Sequence, residues 1–203
     1  PSGTGEHLEI WIDRSYAPAG YGWIFPAADE VRIGIGSFDP RFHVKDNTVK
    51  LTGDLGREPV GYQGNWIPHK LREATGDGIF FVGDSAGHCL PLTAEGIRTA
   101  FYYGIACGRQ LREVLEGRRS VAEALVGYGD FSARQGWKFG VLLGMQRGVP
   151  RVPPRLLGPA VRAMQNQRFV NWSFNHYLRV APPEFATPSP PKMSARPALA
   201  QAA

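Results

Sequence analysis

An unbroken apolar run that ends in a carboxylate constrains the fold of this chain more than any other feature. Residues 78–84 read Gly-Ile-Phe-Phe-Val-Gly-Asp. A short continuous apolar run of this kind is typical of a parallel strand that is buried on both faces. A loop over residues 85–93 follows, and the apolar spacing then predicts a helix from about Ala94 to Glu116. Thr93 is the predicted N-cap residue, and Gly117 is the residue predicted to end the helix.

The strand end, the loop and the helix start together predict a ligand site. In open α/β sheets, ligands bind outside the carboxyl ends of the strands. The first turn of a helix presents unpaired N–H groups and the positive end of the helix dipole, which together favour an electron-rich group. Asp84 is suited to accept hydrogen bonds from a sugar hydroxyl. The small residues of the loop leave room for a ligand to lie against the backbone; they are Gly83, Ala86 and Gly87.

The first 40 residues predict three strands of an antiparallel sheet. Residues 7–12 and 31–38 alternate apolar and polar side chains, and residues 21–25 between them are aromatic and β-prone. Short connections favour antiparallel neighbours with one face covered. Alternation places three aromatic side chains on one face of the middle strand: Tyr21, Trp23 and Phe25. This face is expected to line a pocket, and the alternative is an aromatic stripe in the core of the sheet.

The rest of the chain predicts helices and an unstructured tail. Residues 41–60 are weakly patterned and predict one short helix. A capping-box pattern at Ser120, with a Glu three residues later, predicts a helix over 120–147. A third helix is predicted over 155–178. Residues 182–203 are rich in Pro and Ala without a core-forming pattern, so we expect them to be disordered.

The uneven distribution of charge along the chain indicates which kinds of partner it could bind. Residues 147–203 carry 8 Lys/Arg against 1 Asp/Glu, whereas residues 1–146 carry 15 against 17. This asymmetry suggests that the C-terminal part contacts an anionic partner, either a membrane surface or a phosphorylated molecule. The alternative is a solvated basic face. No nucleic-acid partner is expected.

Three further expectations follow from residue usage. No apolar run is long enough to predict a membrane-spanning helix. Only two cysteines are present, Cys89 and Cys107, which predicts that the protein resides in the reducing cytoplasm. If the basic C-terminal region binds a membrane, the protein is expected to be peripheral to that membrane. The five histidines are scattered singly, so no metal site is predicted.

The run over residues 82–97 resembles the second flavin-binding motif of a large group of FAD-dependent enzymes. This group includes aromatic hydroxylases, halogenases and geranylgeranyl reductases. The resemblance implies that Asp84 binds the ribityl chain of FAD and that Pro91 lies beside the isoalloxazine. The cofactor-binding residues implied in this way are Gly83, Asp84, Pro91, Glu95, Gly96 and Ile97, the last two facing the flavin pyrimidine edge with their amides. Ala94 stands where the group usually has Gly.

A second motif resembles the geranylgeranyl reductase family in particular. Residues 18–26 match the pattern Pro-x-x-Tyr-x-Trp-x-Phe-Pro at every fixed position, and residues 31–36 resemble the strand that follows it in that family. The resemblance implies that the strand lines a substrate cavity near the flavin. Its aromatic face is chemically suited to a prenyl chain. Tyr21, Trp23 and Phe25 are therefore the predicted substrate-binding residues.

The glycine fingerprint that holds the FAD pyrophosphate, Gly-x-Gly-x-x-Gly, does not occur in the chain. In the family this fingerprint precedes the segment that resembles ours. We therefore expect an α/β fold of α+β type, with a substrate-domain sheet over 1–68 and the C-terminal part of an FAD-binding domain over 69–117. A helical region over 118–181 and a tail over 182–203 complete the predicted division. By itself, the chain is expected to bind FAD weakly or not at all.

The resemblance implies a reaction as well as a fold. The expected activity is reduction of an isoprenoid carbon–carbon double bond by FAD, which NAD(P)H or another donor reduces. His88 and Cys89 lie in the flavin loop and are the predicted catalytic residues, with His88 as a candidate proton donor. The alternative is that both side chains simply pack the loop.

Two other functions stay open at this point. The first is a flavin monooxygenase or halogenase of the same fold, which the Gly-Asp motif alone does not distinguish from a reductase. The second is a truncated, non-catalytic domain that has kept the sheet and lost the cofactor. The aromatic strand argues against the first alternative, and the absent fingerprint favours the second.

Overall fold

The computed structural model describes residues 6–163, 165–182 and 185. The described residues fall into two compact units: those within residues 1–66 and 146–151 form one, and those within residues 67–145 and 152–203 form the other. The first unit contains an antiparallel sheet and a helix, and the second contains a short hairpin and several helices. The architecture is therefore of the α+β kind that the sequence predicts.

The sheet of the first unit has three antiparallel strands, as predicted. They are β1 (Glu9–Trp11), β2 (Gly20–Ala27) and β3 (Glu30–Ser37), in the order β1-β2-β3. Ala28 at φ 56° allows the tight turn between β2 and β3. The short helix predicted over 41–60 is α1 (Lys45–Asp54). Its Leu51 packs with Ala17 and Ile35 in the core of this unit.

One face of β2 carries the three predicted aromatic side chains in a row. The ring centroids of Tyr21 and Trp23 lie 5.9 Å apart, and those of Trp23 and Phe25 lie 6.1 Å apart. Gly34 of β3 pairs with Trp23 across the sheet. A Cβ at Gly34 would lie only 2.4 Å from the Trp23 ring, so the ring lies flat on the backbone of β3. The glycine of β3 thus gives this aromatic face its shape.

In the second unit, the prediction of a parallel strand buried on both faces is wrong for the residues that the structure describes. The apolar run forms only β5 (Ile79–Phe80), which pairs antiparallel with β4 (Thr75–Gly76). Ile79 is 53% exposed. Gly83–Ala86 is a 3₁₀ turn and not the strand end. A parallel strand requires neighbours in its sheet, and no described residue lies beside β5 in that way.

Five helices follow, and they are shorter than the sequence predicts. They are α2 (Ile97–Leu115), α3 (Val121–Ala133), α4 (Gly136–Gly148), α5 (Pro154–Ala163) and α6 (Gln167–Leu178). Gly96, not Thr93, is the N-cap of α2, because residues 91–94 form a turn ahead of it. Gly117 at φ 69° follows the C-cap as predicted. The capping box of Ser120 and Glu123 at the start of α3 is also confirmed.

Two of the predicted helices are each divided. The helix predicted over 120–147 breaks at Arg134–Gln135, just before Gly136, because glycine stabilises a helix poorly. The helix predicted over 155–178 breaks before Asn166, whose side chain accepts hydrogen bonds from the first N–H groups of α6. The predicted disordered tail lies outside the described residues, except for Pro182 and Phe185. Among the described residues, no helix has the length and apolarity to cross a membrane.

We predict that Gly34→Ala destabilises the protein by about 1–3 kcal/mol, because the new methyl group overlaps the Trp23 ring and must displace it. Gly53→Ala in α1 is the matched control, since a Cβ there meets no atom within 4 Å. Urea unfolding followed by circular dichroism measures both variants. Equal stability of the two variants would show that Trp23 does not lie on the glycine face of β3.

Candidate cofactor site

At two positions the Gly-Asp loop has a left-handed backbone that glycine adopts without strain. Gly83 has φ 68° and Gly87 has φ 65°, both in the left-handed region. The turn is closed by hydrogen bonds from Gly87 N–H to the Asp84 carbonyl (2.9 Å) and from His88 N–H to the Gly83 carbonyl (3.0 Å). A Cβ on Gly87 would lie 2.0 Å from the Lys70 carbonyl oxygen. The close approach of the Lys70 backbone therefore requires glycine at position 87.

Asp84 projects from this turn towards the start of α2. Its side chain is exposed, and a Cβ built on Gly96 would lie 3.6 Å from its Oδ1 and 3.5 Å from Cys89 Sγ. A Cβ at Gly96 would thus be in van der Waals contact with the carboxylate, whereas glycine leaves this space open beside the helix N-terminus. This cradle brings together a carboxylate acceptor and the N–H groups of a helix start, as the sequence predicts.

The segment between the turn and α2 is a tight loop. Leu90 N–H donates to the Glu95 carbonyl (2.9 Å), which closes residues 91–94 into a turn with Pro91 buried. Ala94 has φ 52°, so it adopts the left-handed conformation that glycine adopts without strain. The position at which the flavin motif usually has Gly therefore keeps a glycine-like backbone here despite its methyl group. Ile97, the first residue of α2, is exposed.

Glu95 does not point freely into the site, because an ion pair holds its side chain. Arg98 Nε donates to Glu95 Oε1 at 2.5 Å and Arg98 Nη2 to Oε2 at 2.9 Å, and the Tyr177 hydroxyl also donates to Glu95. Burial acts to raise the pKa of Glu95, but the hydrogen bonds from Arg98 and Tyr177 hold it below its usual value. Arg98 also donates to the carbonyls of Leu178 and Ala181. The loop is thereby tied to the end of α6.

The sequence reasoning missed Arg98 and Tyr177. The spacing of Glu95 and Arg98, three residues apart at a helix start, was a visible signal for the ion pair. Tyr177 lies 82 residues further along the chain, so only the tertiary fold reveals it.

His88 is fully buried and is engaged on both ring nitrogens. Gly83 N–H donates to Nδ1 (3.2 Å), so Nε2 carries the proton and donates to Ser132 Oγ of α3 (3.0 Å). The imidazole also stacks on Tyr103 with ring centroids 3.6 Å apart. Burial lowers the pKa of His88 to about 4, which keeps the ring neutral. In this arrangement His88 holds the Gly-Asp turn against α2 and α3.

Cys89 is likewise buried, and burial raises the pKa of its thiol to about 12. A thiol of this kind is protonated at neutral pH and is not a nucleophile. In the structure, the side chains of His88 and Cys89 both pack inside the loop. Their catalytic roles stay predictions.

The predicted site residues fall into the two units. The cofactor-binding residues of the loop and helix start, together with His88 and Cys89, lie in the second unit. Tyr21, Trp23 and Phe25 lie in the first. The second unit also has an open cleft of about 670 Å³ between residues 69–75 and the glycine-bearing faces of α3 and α4. No group of three or more His, Cys, Asp or Glu side chains with metal-binding geometry occurs in the described part of the chain.

One side of α2 is not covered by any described residue. Ile97 is 78% exposed and Leu115 is 88% exposed, with Phe101 and Leu111 also exposed along the same stripe. The opposite side of the helix is buried on α3 and contains Tyr103 and Cys107. An apolar stripe of this length normally packs on another element. The stripe begins beside the Asp84 cradle.

The chain was compared with known proteins, and several of those that it resembles are reductases. No family model matches the chain. The chain is 29% identical over 123 residues to geranylgeranyl diphosphate reductase of Nicotiana tabacum, which covers 57% of the chain. It is 28% identical over 127 residues to digeranylgeranylglycerophospholipid reductase of Methanococcus vannielii, covering 55%. It is 29% identical over 188 residues to menaquinone reductase of Mycobacterium tuberculosis, covering 79%.

These relatives are all named as reductases, and two of the names refer to geranylgeranyl compounds. The resemblance predicted from the two motifs is confirmed, because the chain is similar over half or more of its length to reductases named for geranylgeranyl compounds. The matches cover 26%, 31% and 44% of the length of these relatives. The chain thus spans less than half of each.

We predict that His88 makes stability fall in mild acid. The ring has a pKa of about 4 when folded and about 6.5 when unfolded, so its contribution is complete above pH 6.5 and is lost as the pH falls towards 4. The free energy of unfolding should fall by about 2 kcal/mol from this residue between pH 7 and pH 5. Urea unfolding at the two pH values measures the loss.

His88→Asn is the matched variant, because Asn Oδ1 takes the place of Nδ1 as acceptor for Gly83 N–H but does not titrate. The variant should be less stable at pH 7, since it lacks the bond to Ser132, and its additional loss at pH 5 should be about 2 kcal/mol smaller than that of the native chain. An identical pH dependence in both proteins would contradict the buried neutral imidazole.

Proposed function

We propose that this chain forms the C-terminal part of an FAD-dependent oxidoreductase that reduces carbon–carbon double bonds of a prenyl substrate. The observation that carries the proposal is the open Asp84 carboxylate beside the N-terminus of α2, with Gly96 leaving the space between them free. This combination of a hydroxyl acceptor and a positive helix end suits the ribityl chain and the electron-rich edge of a flavin. The relatives named as reductases support the same class.

We propose that residues of the loop and helix start in the second unit hold the flavin. Asp84 would accept hydrogen bonds from ribityl hydroxyls, Pro91 would lie against the ring system, and the Gly96–Ile97 amides would face the pyrimidine edge. When bound, the flavin supplies a hydride, and NAD(P)H or another donor restores the reduced cofactor. Glu95, held by Arg98 and Tyr177, orients the loop.

The aromatic face of the first unit supports a prenyl substrate. Tyr21, Trp23 and Phe25 present half-exposed rings in a row, and flat apolar surfaces of this kind pack well against an isoprenoid chain. We propose that they form a wall of the substrate cavity. The glycine backbone of β3 beneath Trp23 keeps that wall flat.

The uncovered stripe of α2 supports the view that another element completes the cofactor domain. Ile97, Phe101 and Leu115 would pack on a preceding βαβ unit that carries the pyrophosphate fingerprint. Flavin binding by residues 1–203 alone should therefore be weak.

We expect the protein expressed with its preceding coding sequence to show flavin absorption bands near about 370 and 450 nm, and residues 1–203 alone to show little. In the longer protein, Asp84→Asn should weaken FAD binding roughly 10- to 100-fold, because a charged hydrogen-bond acceptor is lost. FAD titration followed by flavin fluorescence measures the change. The matched control is Asp46→Asn, which removes an exposed carboxylate from α1.

Absence of flavin from both forms of the protein would contradict the proposal and favour a non-catalytic domain. Equal FAD affinity of the Asp84 and Asp46 variants would place the cofactor away from the Gly-Asp turn.

A further inference from the structure

Helix α6 is attached to the rest of its unit by its C-terminal end. Tyr177 contacts Glu95 and Thr93, and the following residues Val180 and Ala181 are buried in the core of the second unit. By contrast, no described side chain of α6 itself is buried. One face of the helix is therefore not buried by any described residue.

This free face carries a row of stacked aromatic rings. Phe169 and Trp172 stack with centroids 6.1 Å apart, and Trp172 and His176 lie 4.6 Å apart. Residues spaced three and four apart share a helix face, so the three rings form one continuous ladder. Trp172 is 59% exposed. A contiguous row of exposed aromatic rings is typical of a surface that binds a protein or a membrane.

The charged residues on the same face of the helix as the ladder are positive. Arg168 and Arg179 fall on the same side of the helix as Trp172, at spacings of four and seven residues, and both are exposed. Residues 131–183 contain eight Lys or Arg and no Asp or Glu. On α5, Arg155 and Arg162 are also exposed. A surface with so one-sided a charge is complementary to an anionic partner.

We propose that this face of α6, made of Arg168, Phe169, Trp172, His176 and Arg179, docks the protein on an anionic lipid membrane. Aromatic rings, Trp above all, insert at the boundary between headgroups and acyl chains, and flanking arginines pair with lipid phosphates. Electrostatic attraction adds to the insertion of apolar rings, because each Arg near an anionic leaflet increases the affinity of the surface for the membrane. Docking goes beyond the proposed reaction and is independent of the flavin.

Vesicle flotation tests the proposal with the purified full chain. Vesicles of phosphatidylcholine with about 30% phosphatidylglycerol should bind the protein, and vesicles of phosphatidylcholine alone should bind it much less. Trp172→Ala should reduce partitioning roughly 10-fold, through the loss of inserted apolar surface. Arg168→Gln with Arg179→Gln should reduce it about 25-fold, at about 5-fold for each charge.

The matched controls separate this face from general stickiness. Phe174 is 55% exposed on the same helix but lies two residues from Trp172, on another side, so Phe174→Ala should bind vesicles like the native chain. Arg112→Gln removes one exposed charge from α2 and should have little effect. Unchanged circular dichroism of each variant confirms that it is folded.

Equal loss of binding in the Trp172 and Phe174 variants would overturn the proposal. So would binding to a heparin column or to an oligonucleotide with no dependence on Trp172 and no binding to the anionic vesicles, because the face would then be a polyanion site. FAD content, measured on the same variants of the longer protein that includes its preceding coding sequence, is expected to be the same in all variants. Loss of docking with unchanged flavin content therefore leaves the proposed reaction untouched.

Discussion

The buried contact of His88 with Gly83 is the interaction on which the candidate site depends. The imidazole accepts the Gly83 N–H, donates to Ser132 and stacks on Tyr103, so one side chain joins the turn, α2 and α3. Without an acceptor at Nδ1, the Gly83 N–H would lose its partner inside the loop. The direction of the Asp84 carboxylate follows from this turn. In the structure His88 is a buried, neutral support of this turn, and its role as a proton donor stays a prediction.

A second constraint joins the cofactor loop to the C-terminal helices. The ion pair of Glu95 and Arg98 is partly buried and is completed by Tyr177 and by carbonyls at the end of α6. Charged groups removed from water are stable only when their hydrogen bonds are satisfied, and here they are shared between distant parts of the chain. The position of α6 and the shape of the cofactor loop therefore depend on each other. This link gives α6, the helix that we propose docks on a membrane, a direct connection to the candidate site.

The sequence predicts the local features of this protein well. Alternation identified the three strands and the shared face of Tyr21, Trp23 and Phe25, and the capping pattern placed the start of α3. Both are short-range effects of backbone geometry. The parallel strand over residues 78–84 was predicted wrongly, because an apolar run reports burial and not the partner that supplies it. The helix start at Gly96 was missed because the Leu90–Glu95 contact, and not capping by Thr93, decides where α2 begins. Arg98 and Tyr177 could not be joined from the sequence, since 79 residues separate them along the chain.

The proposed function requires that the site reduces prenyl double bonds and does not insert oxygen. The most direct test is to reduce the flavin-loaded longer protein anaerobically, add a geranylgeranyl substrate and determine the product mass. If the site is a prenyl reductase, the product is heavier by two hydrogens for each flavin oxidised and forms without oxygen. A product that gains an oxygen atom or a halogen, and only when air is admitted, would contradict it.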